Sequence, residues 1–261
     1  MRLDNKTFII TGASSGIGRG LALEMFRENA NLVCMARRSS LLKELQNETD
    51  KKRVQVFTGD VTKAKDCKDV IALALKQFKN IDGIIHNAGV SMRATAEEAD
   101  LKVQKNLMDV NFFSLTYLYK YGLPALKETK GHLVCVSSLM GLFSTQLRSG
   151  YAASKHAVQG FMDSVRLETI DYGLHVMTIS PGFIQTDIAL SSLSADGGLH
   201  GVKGSHHKGI PVEYAAKRII DGIVDRKRDL VIAKPRERLA LFLSKWAPGF
   251  LDKIIARADV N

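Results

Sequence analysis

Thr11-Gly12-Ala13-Ser14-Ser15-Gly16-Ile17-Gly18 follows the apolar run Thr7-Phe8-Ile9-Ile10 and leads into residues 16–29, where apolar side chains recur every three or four positions. A short β-branched run followed by helical periodicity, with glycines between, reads as strand, tight turn and helix. The glycines let the chain turn and leave bare backbone for a phosphate at the helix N-terminus. The spacing is Gly-x-x-x-Gly-x-Gly, which differs from the Gly-x-Gly-x-x-Gly fingerprint of dinucleotide-binding βαβ units. Taken alone, it also fits an ordinary strand-to-helix turn. What surrounds it decides.

The same alternation continues outward. NLVCMA (31–36), VQVF (54–57), GIIH (83–86), LVCVS (133–137) and VMTI (176–179) are candidate buried strands. Residues 62–78, 97–122 and 151–172 between them have helical spacing. This pattern predicts an α/β fold of three layers: a doubly wound, mostly parallel, Rossmann-type sheet with helices on both faces. Ligands then bind at the carboxyl ends of the strands. No repeat or Pro-rich linker divides the 261 residues, so 1–261 reads as one domain. The alternation breaks at 183–209, rich in Ser and Gly and carrying His206 and His207, where a mobile substrate lid is expected.

Three further strand ends share the crevice. Ala36-Arg37-Arg38 closes the second strand, where an acid would bind the ribose of NAD and a cation the extra phosphate of NADP. Arg37 and Arg38 therefore favour NADP(H), since guanidinium groups fork onto phosphate. Asp60 and Val61 close the third strand, placed to read adenine. Asn87, Ala88 and Gly89 close the fourth and are small enough for close backbone packing. Either of these could also be only a turn signal.

Tyr151-Ala152-Ala153-Ser154-Lys155 sets a phenol and an ammonium on one helix face, a match weak by itself. Its context is Ser138, thirteen residues upstream at the end of the fifth strand. A ketone accepting hydride becomes an alkoxide that needs a proton, and an unperturbed phenol titrates near about 10. Lys155, with the positive charge of an oxidised nicotinamide, would stabilise the tyrosinate. Ser138 would hydrogen-bond the carbonyl oxygen as charge develops. Lys155 would also bind the nicotinamide ribose, and Asn111 could support a water chain.

With TGASSGIG (11–18), DVT (60–62), HNAG (86–89), VNFFS (110–114), VSSLMG (136–141), YAASK (151–155) and PGFIQT (181–186) in this order, the chain resembles the short-chain dehydrogenase/reductase family over residues 5–232. The resemblance implies a catalytic tetrad of Asn111, Ser138, Tyr151 and Lys155. It implies a cofactor site of Gly12, Ser14, Ser15, Gly16, Ile17, Gly18, Pro181 and Gly182 with the strand-end residues above, and Ile184 and Thr186 on the nicotinamide amide. His86 departs from the asparagine common there; Asn87 carries the family role. The resemblance also implies a homodimer or homotetramer through the helices at 97–122 and 151–172.

The substrate is less legible. Leu142, Phe143, Met92, Ile188, Leu190 and Leu193 suggest an apolar pocket, although all fit a core as well. The segment 148–168 looks closest to hydroxysteroid and retinol dehydrogenases, so the first reading is a reductase of a hydrophobic ketone or lipid-like carbonyl. The runner-up is a β-ketoacyl-carrier-protein reductase, its basic surface docking an acidic carrier. A third reading, an NADPH-sensing or nucleic-acid-binding protein on the same fold, is opposed by the intact tetrad.

The net charge is +10, half of it from Arg226 onward. The basic, amphipathic tail at 233–261 carries LALFL (239–243), Trp246, Phe250, Ile254 and Ile255. Packing over the active site or a subunit is its favoured use, with peripheral membrane or lipid contact the alternative. No apolar run reaches the eighteen or so residues that span a bilayer, and no leader is visible at Met1, so a cytoplasmic chain is expected. Cys34, Cys67 and Cys135 suit buried thiols. His132, His156, His175, His200, His206 and His207 lack metal-ligand spacing.

Overall fold

The computed structural model describes residues 2–188, 190–200 and 209–257. Seven strands form one sheet: β1 Thr7–Thr11, β2 Asn31–Ala36, β3 Val54–Thr58, β4 Gly83–His86, β5 His132–Val136, β6 His175–Pro181 and β7 Asp229–Ile232. Their order is β3-β2-β1-β4-β5-β6-β7, every neighbouring pair is parallel, and the winding reverses between β1 and β4. The sheet and the helices on both its faces form the Rossmann-type α/β fold expected from the strand-helix alternation.

Helices α1 Gly16–Arg27, α2 Ser39–Asn47 and α7 Val212–Val224 pack against one face. Helices α3 Ala64–Phe78, α5 Ser114–Thr129 and α6 Ser149–Glu168 pack against the other. Side chains alternate between the layers with the two-residue period of a strand: Phe8 and Ile10 join the first core and Ile9 the second, as Leu32 and Cys34 oppose Val33 and Met35. Both faces are covered, so the inner strands β1, β2, β4 and β5 carry near-continuous apolar runs rather than alternating with polar residues.

The helical spacing at 97–122 proves to be three pieces. Asp100 caps α4 Leu101–Met108 by accepting the Lys102 N–H at 2.8 Å, so residues 97–100 lie outside the helix. A π-helical turn, Asp109–Phe113, follows, and α5 then runs to Thr129. α6 begins at Ser149 and ends at Glu168, short of 172, where the chain tightens into a 3-10 turn, Ile170–Tyr172. Sequence reading left α2, α7 and β7 unassigned, and left the tail, α8 Pro235–Trp246 and α9 Pro248–Arg257, without defined helices. Among the described residues no helix is long and apolar enough to cross a membrane.

The expected lid is tied down where it is described. Leu193 N–H donates to Ser91 O and Arg93 N–H donates back to Leu193 O, both at 2.8 Å, while Asp100 N–H donates to Ala195 O at 2.9 Å. Ala189 and residues 201–208, with His206 and His207, lie outside the described residues.

Two histidines pair at the amino ends of β5 and β6. His175 Nε2–H donates to Lys227 O at 2.8 Å, which leaves its Nδ1 to accept from His132 Nδ1–H at 2.8 Å. Burial lowers both pKa values, that of His132 to about 3, and burial brings His86 to about 3 as well. An unfolded imidazole titrates near about 6.5. The neutral folded forms therefore contribute stability that is full above that pH and is lost as pH falls towards 3. Between about pH 6.5 and 5, the unfolding free energy is expected to fall by up to about 1.4 kcal/mol per pH unit per histidine. Urea titrations should show a shallower slope in His132→Asn, and identical slopes would refute the assignment.

Candidate active site

The first site elements are built by the turn after β1. Gly12 has φ +66, and a Cβ on it would lie 2.9 Å from both Ala88 Cα and Asn87 Nδ2, so only glycine fits. Asn87, at the end of β4, closes the approach: its Nδ2 donates to Thr11 O at 3.0 Å and Gly12 O at 3.3 Å. The N–H groups of Asn87 and Ala88 both donate to Thr11 Oγ1 at 3.1 Å. Gly18 packs on the same Asn87 amide.

α1 opens at Gly16 with no side-chain cap from Ser15 and no acid in its first turn. Its first N–H groups thus have neither a capping side chain nor a counter-charge, a local arrangement that suits a phosphate. Of the two arginines, Arg38 is the one that reaches the loop: its Nη2 donates to Ser14 Oγ at 3.0 Å and Ser15 Oγ at 2.6 Å. Arg37 is exposed. Asp60 is half-buried, and its Oδ1 accepts from the N–H and O–H of Thr62 at 3.0 and 2.9 Å, a turn that leaves Oδ2 open; Val61 is core. On the other side Pro181 ends β6 and Gly182 N–H donates to Ile232 O at 2.9 Å. Ile184 bridges to Ile210, and Thr186 reaches Gly16, its Cγ2 3.1 Å from where a Cβ would stand.

The candidate catalytic residues lie on α6, the π-helical turn and the turn after β5. Lys155 and Tyr151 lie on consecutive turns of α6, 3% and 8% exposed, with the Lys155 Nζ 5.9 Å from the Tyr151 ring centroid and donating to Val136 O at 3.0 Å. A Cβ on Gly89 would lie 3.2 Å from Asn111 Oδ1 and 3.5 Å from Lys155 Nζ, so these three share one corner. Ser138 caps the 3-10 turn Leu139–Gly141, its Oγ accepting Met140 N–H at 3.1 Å. That bond uses a lone pair and leaves the hydroxyl proton to donate. The turn packs on α6 and sets Met140 in the cluster around Tyr151.

The Asn111 side chain ties two segments together. Its amide donates to Val90 O at 3.0 Å and Ser154 Oγ at 2.8 Å, and its Oδ1 accepts Val90 N–H at 2.9 Å. Both N–H donors are occupied, so the side chain is a brace between the segment after β4 and α6.

His86 and Cys135 escaped sequence reading as site-building residues. Ser114 O–H donates to Val110 O at 2.6 Å, so its oxygen accepts His86 Nε2–H at 2.6 Å, and Cys135 S–H meets His86 Nδ1 at 3.3 Å. This chain fastens the π-helical turn, and Asn111 within it, to β4 and β5. Burial pushes the thiols of Cys34, Cys67 and Cys135 up to about 12. Arg148, also missed, pins the segment ahead of the site by donating to Ser91 Oγ at 2.7 Å and Met92 O at 2.6 Å. Met92 and Leu193, expected as pocket wall, instead pack into the cluster supporting Tyr151. Among the described residues no group of three or more His, Cys, Asp or Glu could hold a metal ion.

The profile of the short chain dehydrogenase family matches residues 6–196. The chain belongs to this family. It is 36% identical over 263 residues to dehydrogenase/reductase SDR family member 7B of Bos taurus, covering 97% of this chain and 81% of that one. It is 30% identical over 268 residues to the SDR family protein 7-like of Drosophila melanogaster, covering 100% and 82%. A short-chain dehydrogenase/reductase structure from Caenorhabditis elegans, solved with cofactor, superposes with a TM-score of 0.81 at 24% identity over 92% of this chain and 97% of that one. An alcohol dehydrogenase from Thermococcus sibiricus superposes with 0.77 at 22% identity, over 89% and 99%.

Members of this oxidoreductase family use a nicotinamide dinucleotide, and the uncapped α1 and the closely packed Gly12 fit one. Gly12→Ala is expected to cost about 1–3 kcal/mol of stability and to weaken cofactor binding by roughly tenfold or more. Melting curves and fluorescence titration with reduced cofactor check both, and unchanged binding would remove the loop from the site.

Proposed function

We propose that this short-chain dehydrogenase is an NADPH-dependent reductase, reversible as an alcohol dehydrogenase, that reduces a hydrophobic ketone or lipid-like carbonyl with Tyr151 as general acid and base. The observation that carries this is the nearly buried Tyr151 in an apolar cluster, with the buried Lys155 ammonium one turn away and the Ser138 hydroxyl on the adjoining 3-10 turn.

The cofactor, when bound, supplies the hydride. Ser138 donates its free proton to the substrate oxygen and favours the developing negative charge. Tyr151 delivers the proton that completes the alcohol, and in reverse its phenolate removes it. Lys155 favours that phenolate by its charge, and it is held for the purpose by Val136 O. Asn111 and Ser154 fix the helix carrying both groups, since Ser154 O–H donates to Tyr151 O at 2.7 Å.

Arg38 supports NADPH over NADH: its guanidinium lies at the end of β2, on the loop hydroxyls, where a ribose phosphate would take their place as acceptor. The half-buried Leu142 and Phe143 after the Ser138 turn, with Leu190 and the exposed Ile188, support an apolar substrate. Assembly as a dimer or tetramer through α5 and α6 belongs to the same proposal, supported by the exposed Phe113, Leu167 and Ile170 on this side.

Tyr151→Phe is expected to bind NADPH normally and to lose turnover by roughly a hundredfold to ten-thousandfold; wild-type turnover on a panel of long-chain ketones and steroids would remove the mechanism. Arg38→Ala should raise the KM for NADPH by roughly tenfold to a hundredfold and leave that for NADH nearly unchanged. Equal effects on both cofactors would show that Arg38 does not read the phosphate.

A further inference from the structure

The tail forms a helical pair, α8 and α9, packed together and fixed at both ends to segments that border the site. At its start Glu237 accepts Phe183 N–H at 2.8 Å, and at its end Ala256 O accepts from Gln146 Nε2 at 3.3 Å, in the loop between Ser138 and Tyr151. Leu251 on α9 is buried. The opposite face is apolar and uncovered. Leu239, Phe242 and Trp246 recur at helical spacing along α8, Phe250 and Ile254 along α9, and all five are between 43 and 75% exposed. The Phe242 and Trp246 rings stand 6.4 Å apart on this stripe.

The charges along the same two helices are one-sided. Arg236, Arg238, Lys245, Lys253 and Arg257 face only Glu237 and Asp252, and Glu237 is turned inward to the Phe183 and Lys234 N–H groups. Helical geometry places Lys245 along one border of the α8 stripe, beside Arg238, whose guanidinium donates to Ala233 O and Val231 O at 3.2 Å, and Lys253 and Arg257 along one border of the α9 stripe. Two copies of this face would bring like charges together. An aromatic and aliphatic stripe edged by cations instead matches the acyl and headgroup layers of an anionic bilayer.

We propose that α8 and α9 form a monotopic docking surface for anionic lipid membranes, which holds the entrance region of the site against the bilayer. The docking itself rests on the helical pair alone; its use in taking a lipid-like carbonyl from the membrane rests on the function proposed above.

Trp246 is the single tryptophan of the chain, so its emission reports this surface directly. The full chain should bind vesicles of phosphatidylcholine containing about a third phosphatidylserine, with a blue shift of Trp246 emission and co-sedimentation. Binding should weaken as salt is raised and on pure phosphatidylcholine. Leu239→Glu combined with Phe242→Glu, both at exposed positions, should weaken partitioning by roughly a hundredfold or more. Turnover of a water-soluble ketone by that variant should stay unchanged. No blue shift on anionic vesicles would overturn the proposal. So would a protein-concentration-dependent blue shift without vesicles, accompanied by a dimer that the variant abolishes, since the face would then be covered by a second copy. Vesicle binding without turnover on any carbonyl would leave docking standing and count against the function proposed above.

Discussion

The close approach of β4 to the turn after β1 is the constraint on which the site depends. Where the winding of a parallel sheet reverses, adjacent loops leave in opposite directions and open a crevice. Here that crevice is bounded by a backbone contact so tight that Gly12 admits no Cβ, and Asn87 bridges it with one amide bonded to two loop carbonyls. Thr11 accepts the two N–H groups that β4 leaves beyond its last paired residue. The strand end is therefore satisfied without water, and the loop is fixed before any ligand arrives. Arg38, Thr186 and the open end of α1 are placed relative to it.

The reactive corner depends on a second device, a π-helical turn between α4 and α5. One extra residue per turn breaks the regular ladder and redirects side chains, which is why such turns recur at functional positions. Asn111 is redirected to brace Val90 and Ser154, linking the segment after β4 to the helix bearing Tyr151 and Lys155. His86, through Ser114, holds Val110 O and keeps the turn in place. A neutral imidazole serves here because burial and the Lys155 charge both disfavour its protonated form.

Strands and loop residues were legible because each carries a local signal: β-branched runs for β1 and β4, glycine for a positive φ, a Ser ahead of a turn. The π-helical turn was not, because 3.6-residue spacing on either side of it continues smoothly through 97–122. The distinction between Arg37 and Arg38 was likewise hidden, since sequence places both at the end of β2 and only the path into α2 turns one towards Ser14. Met92 and Leu193 looked like pocket wall from composition. Their pairing across residues 91–93 and 193, a long-range backbone match with no sequence signature, buries Met92 and packs the half-buried Leu193 against it. Short β7, at the sheet edge, follows α7 with a charged run, Arg226-Lys227-Arg228, that masked its four residues.

The charge of +10 has no single meaning once the residues are placed. Lys155 is buried and donates to Val136 O, Arg38 spans two loop hydroxyls, and Arg2 is consumed by Glu28 and Asp221. These cations are bound to local partners and contribute little to a distant field. Arg238 likewise donates to Ala233 O and Val231 O, both at 3.2 Å. Lys245, Lys253 and Arg257 are different: they lie exposed along the edges of an apolar stripe, where their long stems extend that stripe and their heads stay in water. A surface that served only packing would need no such cationic edge, and a surface that served only solubility would not carry Phe242, Trp246 and Phe250. The combination has a physical purpose when one side of the interface is apolar and the plane above it is anionic.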